Sequence, residues 1–360
     1  MKFAIAGGGT GGHLFPALAV GEVLLERGHE VLVFISEKEI DALAVQGRSE
    51  FRFEKLPSIG MPRLFSPAML TFFQRFNASL APCRRIFAEF QPDAVLGMGG
   101  FTSTAPILAG KLRRVPTFLH ESNAIPGKAN RLNALMVDAV LLGFEECKQH
   151  FPRARCEVTG TPIRRSLAGR VPKGEALAGF GLQPGLATVL VMGGSQGAHG
   201  INAAMQAAAV GGKLGGLQVI HLTGAGDEAS MAQSYREAGV PAHVAAFCRQ
   251  MENAYGAADL VVARSGAASL SEISHFGLPS LLIPYPHAAE NHQQLNAEIF
   301  ARAGAAKLLM ESETTGEALA AAIQKLAGDP ELLHIMAAHS QRLAPRDAAA
   351  CVADALERLK

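Results

Sequence analysis

No run of apolar residues in this sequence approaches the roughly 20 needed to cross a bilayer as a helix, so contact with a membrane, if made, is expected at its surface. Charge of one sign is missing too. The 33 Lys and Arg stand against 32 Asp and Glu, a net of +1, so no whole-chain field gathers nucleic acid and none is expected as a partner. The five cysteines (Cys83, Cys147, Cys156, Cys248, Cys351) are odd in number, scattered and never spaced as CxxC, which excludes a disulfide framework or a cysteine zinc site and fits a reducing cytosol. The start lacks the basic, apolar and small-residue succession of a signal peptide. No Asp-x-Asp occurs, so the usual metal-bridged diphosphate site is not expected, nor is any cofactor. The lack of Trp excludes nothing.

What is present is a globular composition, 49% apolar and 18% charged, in a chain of 360 residues, longer than one core usually holds. Short β-branched runs alternate with helical stretches, the pattern of parallel sheets with crossover helices. Residues 2–6 read as the first strand. A glycine-rich loop follows, then a helix with Pro16 in its first turn that ends at Gly28. Strands are expected at 30–35, 94–97, 117–120, 137–142 and 156–159. The pattern then restarts, with a strand at 188–192, a second glycine loop at 193–197 and a helix from 201; a later strand at 260–263 leads into a helix at 268–276. The fold class is therefore α/β, two Rossmann-like domains in tandem whose parallel sheets face a central cleft. The expected division is 1–162 and 163–344, with a last helix at about 345–360 packing back on the first domain.

Each half opens with strand, glycine loop and helix, through Gly8-Gly9-Thr10-Gly11-Gly12-His13 and Gly193-Gly194-Ser195-Gln196-Gly197-Ala198-His199. Glycine after a buried strand lets backbone N–H groups approach a phosphate at the positive end of the next helix. The glycines also serve tight turns alone. Residues 7–12 satisfy GxGxxG with Glu37 beyond, so a dinucleotide-dependent dehydrogenase competes, although His13 is an odd residue for such a site. The second half is denser in polar groups: Arg264-Ser265-Gly266-Ala267-Ala268-Ser269-Leu270-Ser271-Glu272 offers free amides, hydroxyls and a carboxylate one turn in, suited to a diphosphate and a ribose. An acid favoured near a helix start for its dipole alone is the plainer reading of Glu272, outweighed by Ser265, Ser269 and Ser271 crowding the same end.

These motifs, with Gly97-Met98-Gly99-Gly100-Phe101, His120-Glu121-Ser122-Asn123, Pro126-Gly127, residues 160–164 and His292-Gln293-Gln294-Leu295-Asn296-Ala297, resemble the MurG family of GT-B glycosyltransferases in order and over nearly the whole chain. The resemblance implies an inverting transfer of N-acetylglucosamine from UDP-GlcNAc to the muramoyl 4-hydroxyl of lipid I, giving lipid II for peptidoglycan synthesis. The acceptor would sit on the first domain and the donor on the second. It implies that Thr10, Gly11 and Gly12 approach the donor diphosphate or sugar, and that Asn123 and Gln293 reach the sugar. Arg164 and Ser195 would bind the nucleotide side, the backbone around Cys248 the uracil, and Ala267, Ala268, Ser269, Leu270, Ser271 and Glu272 the phosphate and ribose. Phe101 stands where the family often has Tyr, and Thr161 where it has an amide.

The reaction needs a base and a means of stabilising departing UDP. His13, after a glycine loop, is the first candidate base, and a phosphate- or cap-bonding role competes; His120 and Glu121 are the alternatives. Charge on the leaving group would fall to helix N-termini, Arg164 and Arg264. His199 reads as a solvated residue at a helix start. Between residues 61 and 131 nine basic residues face three acids, and Phe65, Phe72, Phe73 and Phe76 lie among them. Residues 61–85 are thus expected to dock on the cytoplasmic face of the membrane, as a peripheral protein would, or to form an ordinary amphipathic core helix. A transferase acting on another membrane lipid, and a nucleotide-sugar-binding scaffold subunit, remain rivals.

Overall fold

The computed structural model describes residues 1–38, 41–42, 45–57, 67–194, 197–344 and 347–358. The chain forms two compact units, Met1–Arg165 with Arg346–Lys360, and Ser166–Pro345. The change of unit falls three residues later than the sequence pattern places it.

The first unit is built on seven parallel strands: β1 (Lys2–Ala6), β2 (Glu30–Ser36), β3 (Arg52–Leu56), β4 (Ala94–Gly97), β5 (Thr117–Glu121), β6 (Ala139–Leu142) and β7 (Cys156–Val158). Their order is β3-β2-β1-β4-β5-β6-β7, with Ala6 opposite both Phe34 and Gly97. Phe3, Ala4, Ile5 and Ala6 are all buried, as a central parallel strand covered on both faces requires. The order reverses between β1 and β4, so their carboxyl ends open the crevice where such sheets bind ligands. The helix Ala348–Glu357 belongs to this unit. Val352, Ala353 and Leu356 join the cluster of Leu14 and Leu18, and Arg27 bonds Asp354 (2.8 Å) and Glu357 (2.7 Å).

The second unit repeats the plan with β8 (Ala187–Met192), β9 (Leu217–Leu222), β10 (Ala242–Ala245), β11 (Leu260–Ala263), β12 (Ser280–Leu282) and β13 (Ala306–Leu308) in the order β10-β9-β8-β11-β12-β13. All neighbours are parallel, and the reversal falls between β8 and β11, where Met192 pairs with Ala263.

Two local expectations need correcting. The first helix is Gly11–Glu26, so Pro16 lies inside it and not in its first turn. The turn is completed earlier, by Gly9 at φ +90° and an extended Thr10, and Pro16 leaves the Gly12 carbonyl without its helical donor. The basic, Phe-rich stretch contributes the helix Ala68–Phe90, but its rings divide. Phe72 is buried against Phe76 (6.2 Å between centroids) and Phe101 (5.9 Å), while Leu70 and Phe73 are 72% and 54% exposed. Helical spacing turns residues 72 and 76 to the same side, so the four-ring patch does not form. Phe65 lies outside the described residues, whereas Arg75, Arg84 and Arg85 are exposed on the helix.

Candidate active site

At the switch point of the first sheet the glycine loop is held from below. Asp41 Oδ2 accepts the Gly9 amide (2.7 Å), and Lys38 Nζ donates to the Gly9 carbonyl (2.8 Å). Thr10, Gly11 and Gly12 then lead into the helix, with Thr10 and Gly12 exposed. Thr10 Oγ1 lies 3.3 Å from His13 Nδ1. The imidazole rests on the loop after β4: a Cβ at Gly99 would stand 2.9 Å from His13 Nε2, and one at Gly100 would stand 3.4 Å from Nδ1. Both glycines have positive φ, +111° and +71°, so the GMGGF sequence serves ring packing as well as the turn. Burial lowers the His13 pKa below 6.5, and Asp41 works against that shift. At neutral pH the ring is neutral and able to accept a proton.

The other two candidate bases are engaged. His120 is fully buried at the end of β5; its Nε2–H donates to the Gly160 carbonyl (2.9 Å), which leaves Nδ1 to accept from the Ser122 hydroxyl (3.2 Å). Burial pushes its pKa down to about 4. The buried Glu121 carboxylate accepts four N–H groups. Oε1 takes the Asn123 amide (2.9 Å) and side chain (3.1 Å), and Oε2 takes Gly127 N–H (3.2 Å) and Asn130 Nδ2 (2.8 Å). Burial raises its pKa, while those donors favour the ionised form. Glu121 therefore shapes the loop that carries Asn123. Both groups are thus occupied by hydrogen bonds within the chain, an arrangement that favours His13 over His120 and Glu121 as the base. Arg164 lies in the first unit with its guanidinium 5.1 Å from the centre of the Phe15 ring.

In the second unit, β11 runs into the helix Ala267–Phe276 through Arg264-Ser265-Gly266. The first helical bond is Leu270 N–H to Gly266 O (3.0 Å), so the amides of Ala267, Ala268 and Ser269 precede the ladder. No side chain caps this end and no acid occupies its first turn. Glu272 is one turn further in, where the buried Tyr255 hydroxyl donates to its Oε2 (2.8 Å). Ser265 Oγ donates to the Gln293 carbonyl (2.7 Å), Asn296 Nδ2 to the Ser265 carbonyl (3.1 Å), and the Tyr285 amide to Gln293 Oε1 (3.0 Å). Ser271 is buried, and Cys248 is half-buried between β10 and the helix Met251–Ala257. Ser195, in the glycine loop after β8, lies outside the described residues.

Arg264 does not point its charge at an open phosphate site. It forms a two-pronged pair with Glu311 (Nη2 to Oε1, 3.0 Å; Nη1 to Oε2) and donates to the carbonyls of Ile283 (3.1 Å) and Pro284 (3.2 Å). The expectation that it neutralises a leaving group gives way to a buried ion pair. Glu311 also crowds Gly200, where a Cβ would lie 2.0 Å from Oε1. Asp41, Tyr255 and Glu311 were not anticipated. Only the paired glycines of residues 99 and 100 carried a signal in sequence.

Two doubly wound parallel sheets, each with a glycine loop at its switch point and one with an acid-free helix start beside a placed carboxylate, define a GT-B glycosyltransferase. The chain belongs to glycosyltransferase family 28: residues 3–142 match the family's N-terminal domain and residues 188–352 its C-terminal domain. It is 40% identical to the UDP-N-acetylglucosamine–N-acetylmuramyl-(pentapeptide) pyrophosphoryl-undecaprenol N-acetylglucosamine transferase of Geobacter sulfurreducens, over 98% of this chain and 97% of that one. The protein of the same name from Halothermothrix orenii is 38% identical over 95% of each. A crystal structure of Acinetobacter baumannii MurG superposes with a TM-score of 0.79 at 24% identity, covering 99% of both chains, a likeness of fold. The dehydrogenase alternative is set aside by this membership, and the Gly9 amide a dinucleotide phosphate would need is already bonded to Asp41.

Proposed function

We propose that this chain transfers N-acetylglucosamine from UDP-GlcNAc to the muramoyl 4-hydroxyl of lipid I, with inversion, giving lipid II. The near-full-length relatives that bear this activity in their name support the reaction. The observation that carries the donor assignment is the contrast among three helix starts. The helix Gly11–Glu26 has Asp41 on its loop amide. The helix His199–Val210 has Asp227 accepting from Asn202 Nδ2 (2.8 Å) and Glu311 against Gly200. All three helices start without a side-chain cap or an acid in the first turn, but among the described residues Ala267–Phe276 is the one of the three with no carboxylate from another element set against its start, so its dipole is the one an anionic diphosphate meets unopposed. Ala267, Ala268, Ser269, Leu270, Ser271 and Glu272 then cradle the phosphate and ribose, the free amides of Ala267, Ala268 and Ser269 meeting the phosphates and Glu272, aimed by Tyr255, the ribose hydroxyls. The backbone at Cys248 serves the uracil. Gln293 and Asn123 are assigned to the sugar.

His13 acts as the base. It takes the proton of the 4-hydroxyl as the new C1–O bond forms on the face opposite the breaking C1–O–phosphate bond, and UDP leaves with its charge on the amides at Ala267–Ser269. The first unit takes the lipid-linked acceptor at the cytoplasmic face of the membrane, where Leu70 and Phe73 sit on the same helix as Arg75, Arg84 and Arg85. No helix among the described residues is long and apolar enough to cross a membrane.

Transfer to a short-chain lipid I analogue from UDP-GlcNAc, UDP-glucose and UDP-galactose tests the reading. A β-linked GlcNAc product with clear preference for UDP-GlcNAc is expected, and its absence overturns the assignment. His13→Ala should lower kcat about 10²–10⁴-fold with donor Kd unchanged, as for loss of a general base. A loss below tenfold removes His13 from that role.

A further inference from the structure

Asp41 has no part in the scheme above, yet it is 1% exposed directly beneath the first glycine loop. A single oxygen, Oδ2, accepts the Gly9 amide (2.7 Å), the Ser36 amide (3.0 Å) and the Ser36 hydroxyl (2.5 Å). It sits so close under Gly8 that a Cβ there would lie 2.7 Å away. The other oxygen, Oδ1, is buried without a hydrogen-bond partner among the described residues. Leaving a buried carboxylate oxygen unpaired is costly, and its charge lies beside a loop that would otherwise attract anions. A chain needing only a tight turn would do better with a neutral side chain.

We infer that Asp41 is the positioning residue for His13: it locks the Gly9–Thr10 turn from which the imidazole is presented and supplies the negative charge that stabilises the imidazolium formed when the acceptor's proton arrives. The inference rests on the proposed role of His13 as base. The geometry runs from Asp41 through the Gly9 amide to Thr10, whose Oγ1 lies 3.3 Å from His13 Nδ1. The charged and titratable groups facing His13 are Asp41 and Lys38 from the segment after β2, and the neutral His120 from β5. The loop after β4 presents only the backbone of Gly99 and Gly100. Burial lowers the His13 pKa; Asp41 is the largest influence opposing it, the Gly8 carbonyl adds to that opposition, and Lys38 works the other way.

The test is the near-isosteric Asp41→Asn in the full chain, read by the kcat–pH profile and by NMR titration of the His13 ring. With the carboxylate gone, His13 holds its proton less firmly. The acid limb of kcat and the ring's titration midpoint should both move to lower pH, and kcat on the pH plateau should fall at least tenfold while donor KM stays within twofold. Lys38→Met should move both midpoints to higher pH, which keeps the inference testable should Asp41→Asn fold poorly. Unmoved midpoints in folded variants would overturn it and leave Asp41 as a loop brace. Failure of the base role is distinguishable: His13→Ala would then stay within tenfold of the parent, with the ring's titration still shifted by Asp41→Asn.

Discussion

Replacing Glu311 with Ala strands the Arg264 guanidinium, whose side chain is 10% exposed, and the cost can be bracketed from its surroundings. Breaking a buried ion pair by deleting one partner costs about 3–5 kcal/mol because the other charge stays buried. Here the loss is smaller. Arg264 keeps the Ile283 and Pro284 carbonyls and the Tyr285 ring at 5.5 Å, and Glu311 itself is 25% exposed. A destabilisation of about 2–3 kcal/mol is expected, measured by urea unfolding of the full chain followed by circular dichroism. The double variant Arg264→Met with Glu311→Leu removes both charges and should return to within about 1 kcal/mol of the parent, since apolar replacement of such pairs is commonly near neutral. It should also bind UDP-GlcNAc within threefold of the parent by calorimetry, because the pair organises the loop before Ala267 without touching phosphate. A well-folded double variant that loses more than tenfold in UDP affinity, about 1.4 kcal/mol, would refute this reasoning and return Arg264 to the diphosphate.

Tyr255→Phe should raise donor KM about three- to tenfold by freeing the Glu272 carboxylate from its 2.8 Å bond, and Glu272→Ala should raise it further, by about 1.5–3 kcal/mol for a charged hydrogen bond to ribose; equal KM values in parent and Glu272→Ala would dispose of the ribose contact. Acid should weaken the fold through its buried neutral histidines. His120 and His221 have folded pKa values lowered by burial to about 4 from 6.5, so the unfolded chain binds the extra protons. Stability is complete above pH 6.5 and falls toward pH 4 by about 1.4 kcal/mol per pH unit per histidine; thermal melts of His221→Gln against the parent from pH 7.5 to 4.5 should show a shallower loss in the variant. Leu70→Ser with Phe73→Ser should weaken sedimentation with anionic vesicles while leaving the melting temperature and activity on a water-soluble acceptor unchanged. Phe72→Ser should instead lower the melting temperature, since that ring is interior.

The fold was legible because its signals are local. Continuous apolar runs such as Phe3–Ala6 and Leu260–Ala263 read as strands buried on both faces, the first followed at once by Gly7 and the second three residues on by Gly266. Strands with weak local signals escaped. β3 is an edge strand carrying Arg52, Glu54 and Lys55, and β12 and β13 are three residues each. The motif at residues 264–272 placed Glu272 near a helix start from composition alone. It could not show that Arg264 turns away, because its partner Glu311 is 47 residues distant and set in a stretch without a motif. The Phe-rich helix misled for a related reason: which rings face inward depends on Phe101, a residue of another element.

The same limit explains why helix starts that look alike in sequence are not alike electrostatically. Glycines make amides accessible, but what an accessible amide binds depends on the nearest charge, and those charges come from elsewhere in the chain. Asp41 lies 32 residues beyond Gly9, Asp227 lies 25 beyond Asn202, and Glu311 reaches Gly200 from after β13. Each puts a carboxylate at a helix start that would otherwise favour an anion. A protein that must hold a diphosphate at one place and a neutral hydroxyl at another gains from that inequality. On the proposed reading, the start at Ala267, with no carboxylate set against it, takes the donor's phosphates, while the carboxylate beneath Gly9 disfavours phosphate there and suits a site where a hydroxyl would give up its proton to His13. Moving the charge should therefore move the preference. Asp41→Asn is expected to let the first loop bind inorganic phosphate or UDP weakly, as a second calorimetric site absent from the parent, and a variant with no such site would mean that the shape of the loop, and not its charge, excludes phosphate.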